Sequence, residues 1–232
     1  MSMTDSYGQF CPVAMAAEVV CTRWTPLILR ELVSGSTRFN DLRRGVPRIS
    51  PTLLSKRLKQ LEVAGVVRRL QSQREETIEY QLTPAGEELK AIVFDLGIWG
   101  QRWIEAQSSL KNLDPSLLMW DMRRNLDPTP IPPRRCVIQI VYPEQKPGKR
   151  NWWLIVDGGK TDLCRVDPGF DVDLYISTDL RTMTAIWMGL TKVEAEVQCG
   201  RLLLTGDDHI GSAMQHWLGL SPFASEQKRV SA

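Results

Sequence analysis

With 232 residues, 43% hydrophobic and 24% charged, the chain is long enough for one or two domains that bury their own cores, and its composition is that of a soluble globular protein. A net charge of +2 excludes a globally basic surface, and five scattered cysteines without C-x-x-C spacing argue against both a disulfide framework and a zinc site. No apolar run approaches about eighteen residues and MSMTDSYGQF has no cationic or apolar leader, so no membrane span or signal peptide is expected and the cytoplasm is the expected location.

Taken in order, Cys11 to Thr22 places Val13, Ala16, Ala17 and Val20 at helical spacing and predicts a first helix. TPLILRELVSG predicts a second, with Pro26 near its start, Leu27, Leu29, Leu32 and Val33 as apolar positions and Gly35 beyond its end. Arg38 to Gly45 reads as a short third helix with Phe39 and Leu42 inward. A brief connection leads to Ser50–Pro51, an N-cap acceptor followed by a proline at the first helical position. The fourth helix buries Leu54, Leu58 and Leu61 on one stripe, while Thr52, Ser55, Lys56 and Lys59 share the opposite one. From Arg38 to Arg74 ten Lys/Arg stand against Asp41 and Glu62, the local charge expected of a polyanion site.

Two strand-like runs follow, VVRRLQ and TIEYQL, joined by the polar SQREE, and make a wing. Thr83–Pro84 then opens a long helix to about Gln107. Its stripe of Leu89, Ile92, Leu96, Trp99 and Trp103 is wider than one small domain needs to cover, so a second subunit is the expected cover. The element order is that of a winged helix-turn-helix.

The segments CPVA, RW with LILREL, RFNDLRR, ISPTLLSKRLKQLE and YQLTPAG resemble the HxlR-type bacterial transcription regulators over residues 10–107. The resemblance implies a homodimer paired through its first and last helices on a near-palindromic operator in double-stranded DNA. The helix at Ser50–Ala64 would enter the major groove and the wing would lie on the adjacent backbone. On that reading Thr52, Ser55, Lys56 and Lys59 face the groove, with Ser50 and Thr52 at the helix N-terminus, where phosphate is favoured. Arg43, Arg44, Arg48 and Arg74 are expected to meet phosphates. Arg57, at the edge of the leucine stripe, suits a structural ion pair or a DNA contact. Many proteins resembling this family sense oxidants through an N-terminal cysteine, a position matched by Cys11. The local sequence holds no cation that would activate Cys11, and a small buried residue packing the first helix against its dimer mate is the favoured alternative. Cys21 is expected in the core.

Residues 108–134 read as a linker with a short helix (114–126, after Asp114–Pro115) and stiff prolines at 128, 130, 132 and 133. From Arg135 strands dominate: CVIQIVY, WWLIVDGGKTDLCRV turning at Asp157–Gly159, and VDLYIST. Helices at 179–188 and 192–199, the strand RLLLTGD and a helix at 208–218 complete the chain. This order over 113–222 is similar to the sterol carrier protein-like α+β fold with a mainly antiparallel sheet. That similarity implies an apolar cavity for a hydrophobic ligand, with Trp152, Trp153, Leu174, Met183, Trp187, Met188, Met214 and Trp217 as candidate walls; core filling is the alternative. GGKT at 158–161 lacks the preceding glycine of a phosphate loop, and Asp171 and Asp173 look like turn residues. His209 and His216 lack a third ligand and are expected to face solvent. No catalytic pairing, cofactor or metal is expected.

The fold class expected is therefore α+β, and the expected function is a homodimeric DNA-binding regulator, a repressor, controlled by a ligand or by thiol redox. The competing reading is a lipid carrier whose winged helix serves protein contacts.

Overall fold

The computed structural model describes residues 6–71, 77–105 and 110–230. The chain divides into two compact units, Met1–Gly97 and Ile98–Ala232, with the cut inside one long helix.

In the first unit α1 (Pro12–Val20), α2 (Thr25–Val33), α3 (Phe39–Gly45) and α4 (Pro51–Val63) precede the antiparallel strands β1 (Val67–Gln71) and β2 (Ile78–Leu82) and the helix α5 (Pro84–Trp103). Ile28, Leu29, Leu32, Leu42, Leu54, Leu58 and Leu61 form its core. On α2 Ile28 is inward together with Leu29 and Leu32, whereas Leu27 is exposed. The predicted stripe of α1 is not a core stripe: Val20 is buried, but Val13 and Ala16 face outward. A third chain segment joins the wing, since the N–H of Tyr80 donates to the carbonyl of Thr37 at 2.8 Å beside an Arg38–Glu79 bridge.

The junction of wing and long helix is tight. Thr83 donates from Oγ1 to the carbonyl of Gly65 at 2.6 Å and accepts from the N–H of Gly86 at 3.2 Å, which caps α5. A Cβ on Gly86 would stand 2.2 Å from the carbonyl oxygen of Val66. Glycine in a helix normally costs up to about 1 kcal/mol relative to alanine. At position 86 the sign reverses: Gly86→Ala is expected to destabilise by about 1–3 kcal/mol, because backbone must move. Thermal denaturation checks this, and a variant as stable as the parent would refute the close approach.

The second unit contains α6 (Pro115–Asn125), β3 (Cys136–Val141), α7 (Pro147–Arg150), β4 (Asn151–Asp157), β5 (Lys160–Cys164), β6 (Leu174–Thr178), α8 (Leu180–Trp187), α9 (Val193–Gln198), β7 (Leu202–Gly206), α10 (Asp208–Ser212) and α11 (Met214–Trp217). The strand order is β5-β4-β3-β6-β7; only β3 and β6 pair in parallel, so the sheet is mainly antiparallel. The β4–β5 turn needs its glycines, since Gly158 and Gly159 sit at φ +56° and +76°, both in the left-handed region that a two-residue hairpin requires. Two elements depart from the sequence expectation. The closing helix is two short pieces separated at Ala213, and α7 forms within the polar β3–β4 loop. Asp173 does more than turn the chain. Its Oδ2 accepts from the N–H of Val137 at 2.7 Å and its Oδ1 from Arg134 at 2.6 Å, while its carbonyl accepts from the N–H of Asp207. One side chain thereby joins the approach to β3 with the approach to β6.

Candidate nucleic-acid interface

The candidate interface is built on α4. Ser50 Oγ accepts from the N–H of Leu53 at 3.2 Å, and Pro51 follows with its φ already suited to a helix. Leu54, Leu58 and Leu61 are buried, and this fixes the roll of the helix. That roll brings Thr52, Ser55, Lys56 and Lys59 together on the exposed side, with Ser50 exposed at the N-terminal end. Arg43 and Arg44, in the last turn of α3, and Arg48, in the connection, are also exposed. Arg44 is held by Asp41 at 3.1 Å. Arg74 lies outside the described residues. Two exposed cations that the sequence marks only as part of the local charge, Arg68 and Arg69, project from β1, and Arg68 donates to Gln81 Oε1 at 3.0 Å.

Arg57 makes no ion pair among the described residues; it is held instead by neutral acceptors. Its Nε donates to the carbonyl of Arg23 at 3.2 Å and its guanidinium to Gln60 Oε1 at 2.6 Å. Below the connection lies a buried polar group with no counterpart in the sequence reading. Glu31 is fully buried and accepts from Arg30 at 2.8 Å and from Ser36 Oγ at 3.3 Å, while Arg30 also donates to the carbonyl of Gly45 at 2.7 Å. LREL reads as a surface charge pair in a helix pattern, so no periodicity marks Glu31 as interior.

Cys11 occupies the N-cap position of α1 and is half-buried. It makes no cap hydrogen bond of ordinary geometry, yet the N–H groups of Ala14 and Val13 near its sulfur hold the thiol below its ordinary range. These backbone groups, and not a neighbouring cation, supply the activation that the local sequence lacks. Cys21 is exposed, contrary to the expectation of a core residue, because it follows the last turn of α1 on its outer side.

The apolar stripe of α5 splits between two environments. Val93 is buried and Leu89 packs on the core, whereas Ile92, Leu96, Trp99 and Trp103 are exposed, Trp99 to 59%. Phe10, Val13 and Met15 around α1 are exposed as well, Phe10 to 98%.

In the second unit Trp152, Leu174, Met183, Trp187, Met214 and Trp217 belong to one packed core, with Met188 against it. Trp153 alternates to the opposite face of β4. A groove of about 470 Å³ is bordered by Pro128, Ile131, Pro132, Arg134, Val156 and Gly158, and by none of these eight residues. His209 and His216 are exposed, and no metal-holding group of three His, Cys, Asp or Glu occurs among the described residues. None of the described helices is long and apolar enough to cross a membrane.

Residues 19–108 match the HxlR-like helix-turn-helix family. The chain is similar to the HTH-type transcriptional regulator YvaP of Bacillus subtilis, 36% identical over 100 residues that cover 42% of this chain and 93% of the relative. It is also similar to the HTH-type transcriptional regulator Rv3095 of Mycobacterium tuberculosis, 44% identical over 95 residues, 40% of this chain and 58% of that protein. Among solved structures, the redox regulator HypR in its oxidized form shares 33% identity over 39% of this chain and 95% of its own, with a TM-score of 0.38.

Proposed function

Since the chain belongs to the HxlR-like helix-turn-helix family of transcriptional regulators, we propose that it is a homodimeric repressor that reads a near-palindromic operator through α4. The observation that carries this reading is the exposed set Thr52, Ser55, Lys56 and Lys59 opposite a buried leucine stripe on a capped helix. Hydroxyls and lysines at that spacing suit base edges and phosphates of a major groove, with Ser50 at the helix start. Arg43, Arg44 and Arg48 meet the backbone and set register. The exposed Ile92, Leu96 and Trp99 of α5 and Phe10 and Val13 near α1 supply the apolar surface that a second copy covers. A dimer of this kind sets its two recognition helices about 34–36 Å apart, one turn of DNA. The test is fluorescence anisotropy with DNA from upstream of the protein's own coding sequence, across a salt series. Affinity is expected to fall linearly on logarithmic axes. No salt-dependent affinity would favour the competing reading, a carrier whose winged helix contacts proteins.

For domains we propose a winged-helix region at 10–107, a linker at 108–134 and a sterol carrier protein-like sensing region at 135–222 with the helix at 114–126. The order of strands and helices supports the last assignment. Mass spectrometry of small molecules retained by the natively purified protein tests it, and a protein that carries none would remove its support.

A second mode of control has its own observation, the lowered thiol of Cys11 at the α1 N-terminus. A depressed thiol pKa means that thiolate is already present at pH values where a free cysteine is protonated. Alkylation of Cys11 by iodoacetamide is therefore expected to reach half its maximal rate at lower pH than alkylation of a cysteine peptide. Cys11→Ser is expected to bind DNA but to lose release by oxidants. A variant that still responds to oxidants as the parent does would remove the thiol from the mechanism.

A further inference from the structure

We propose that Arg57 is a specificity-determining positioning residue that clamps the recognition helix to the joint between α1 and α2. The inference rests on the DNA-binding reading of α4 and goes beyond it.

The leucine stripe fixes the roll of α4, but an apolar stripe alone is a weak brake on sliding along the helix axis, because neighbouring leucines offer similar contacts one turn away. A directional polar contact removes that freedom. Arg57 lies between the buried stripe and the outward one and is half-buried. Its Nε donates to the carbonyl of Arg23 at 3.2 Å, thirty-four positions earlier in the chain, while a second nitrogen donates to Gln60 Oε1 at 2.6 Å, one turn along the same helix. The planar guanidinium serves both acceptors at once, so its own rotamer is fixed from two sides.

The acceptor is itself held in an unusual place. Trp24, the next residue, has φ +79°, a left-handed conformation that an aromatic residue rarely adopts. The peptide plane carrying the Arg23 carbonyl is turned by that φ, so an ordinary φ at Trp24 would point the carbonyl elsewhere. Trp24 packs on the core and the Arg23 guanidinium lies over its ring at 5.3 Å. The joint is thus constrained by its own packing, and α4 is referenced to it through Arg57. Because α1 and α2 meet at this joint, a displacement of α1 moves the acceptor and shifts α4 along its axis.

A phosphate contact and a positioning contact leave different traces. Removing a phosphate contact lowers the salt slope by about 0.9 and weakens all sequences alike. Removing a positioning contact leaves the slope in place and erodes only the preference for the correct sequence.

The experiment uses the full-length chain and a duplex of about 30 bp recovered from a random library by the wild-type protein, with a scrambled duplex beside it. Arg57→Lys keeps the charge but cannot serve two acceptors in one plane. It is expected to lose roughly tenfold in the ratio of specific to scrambled affinity, about the effect of one mismatched base pair, at an unchanged salt slope. Arg57→Ala is expected to lose at least as much, again with the slope unchanged. A slope lowered by about 0.9 in Arg57→Ala, with full affinity and specificity kept in Arg57→Lys, would show a phosphate contact and overturn the proposal. Wild-type ratios in both variants would overturn it too. A wild-type protein that binds neither duplex removes the DNA reading and this inference with it.

Discussion

Glu31→Ala is expected to destabilise the first unit by about 3 kcal/mol and to abolish operator binding at elevated temperature. The carboxylate is fully buried and accepts from both Arg30 and Ser36, while Arg30 reaches on to the carbonyl of Gly45 at the end of α3. One charge pair therefore ties α2 to the connection after it and to the helix that precedes the recognition helix. Removing one partner of a buried pair costs about 3–5 kcal/mol when the other is left uncompensated. Arg30 keeps its side chain 30% exposed, so water recovers part of its solvation and the lower end applies. With domain stabilities of about 5–15 kcal/mol, such a loss is a large fraction of the whole. Shape also matters at Gly45, where a Cβ would stand 1.9 Å from the Glu31 carboxylate, so the two positions are fitted to each other. Hydrogen exchange of amides 28–42 reads the loss locally. Replacing both partners by apolar residues, Arg30→Met with Glu31→Leu, is expected to recover at least half of it, because no charge is then stranded. Single and double variants with equal loss would show that shape, and not charge, holds the joint.

How far the sequence discloses such features depends on whether their cause is local. The cap at Ser50–Pro51 and the 3.6-residue period of Leu54, Leu58 and Leu61 are set within one helix, and each of these residues stands where the period puts it. The same holds for the glycine turn at 158–159 and for the Asp114 cap of α6. Glu31 and Arg57 are not legible because their roles depend on partners elsewhere: Ser36 and Gly45 for one, Arg23 for the other. Trp24 gives no sign of its left-handed backbone, since an aromatic residue is a poor candidate for it. The parallel pairing of β3 with β6 is a matter of chain return, and alternation along a strand carries no information on direction.

Apolar spacing on α1 and α5 marks a helix face but not what covers it. On α5 the face is shared between core and surface, and on α1 Val13 and Ala16 are outside while Val20 is buried. Trp152, Met183 and Trp217 illustrate the same ambiguity, because the residues that line a cavity and those that fill a core have one chemistry. Only packing distinguishes the two.

For the proposed operator contact, the double variant Lys56→Ala, Lys59→Ala is expected to reduce the salt slope by about 1.8 and affinity roughly 30-fold near 0.15 M salt. Each phosphate neutralised by a lysine releases counterions in proportion to about 0.9 per phosphate, so removing both lysines gives the slope change, and the drop in affinity follows from extrapolating that slope to the working salt. Both lysines are exposed on the stripe opposite Leu54 and Leu58, and their removal leaves the core and the Ser50 cap untouched. Alanine also has the higher helix propensity, so a loss of affinity does not arise from a weakened helix. Thr52→Ala and Ser55→Ala provide the contrast. Their hydroxyls carry no charge, and their loss is expected to leave the slope in place while flattening discrimination among operator variants by about 1–3 kcal/mol at the affected base pairs. Charge and hydroxyl on one helix face are thereby separated by two independent readouts. If the double lysine variant keeps the parent slope, α4 does not lie against phosphates, and the contact must be sought among Arg43, Arg48, Arg68 and Arg69 instead.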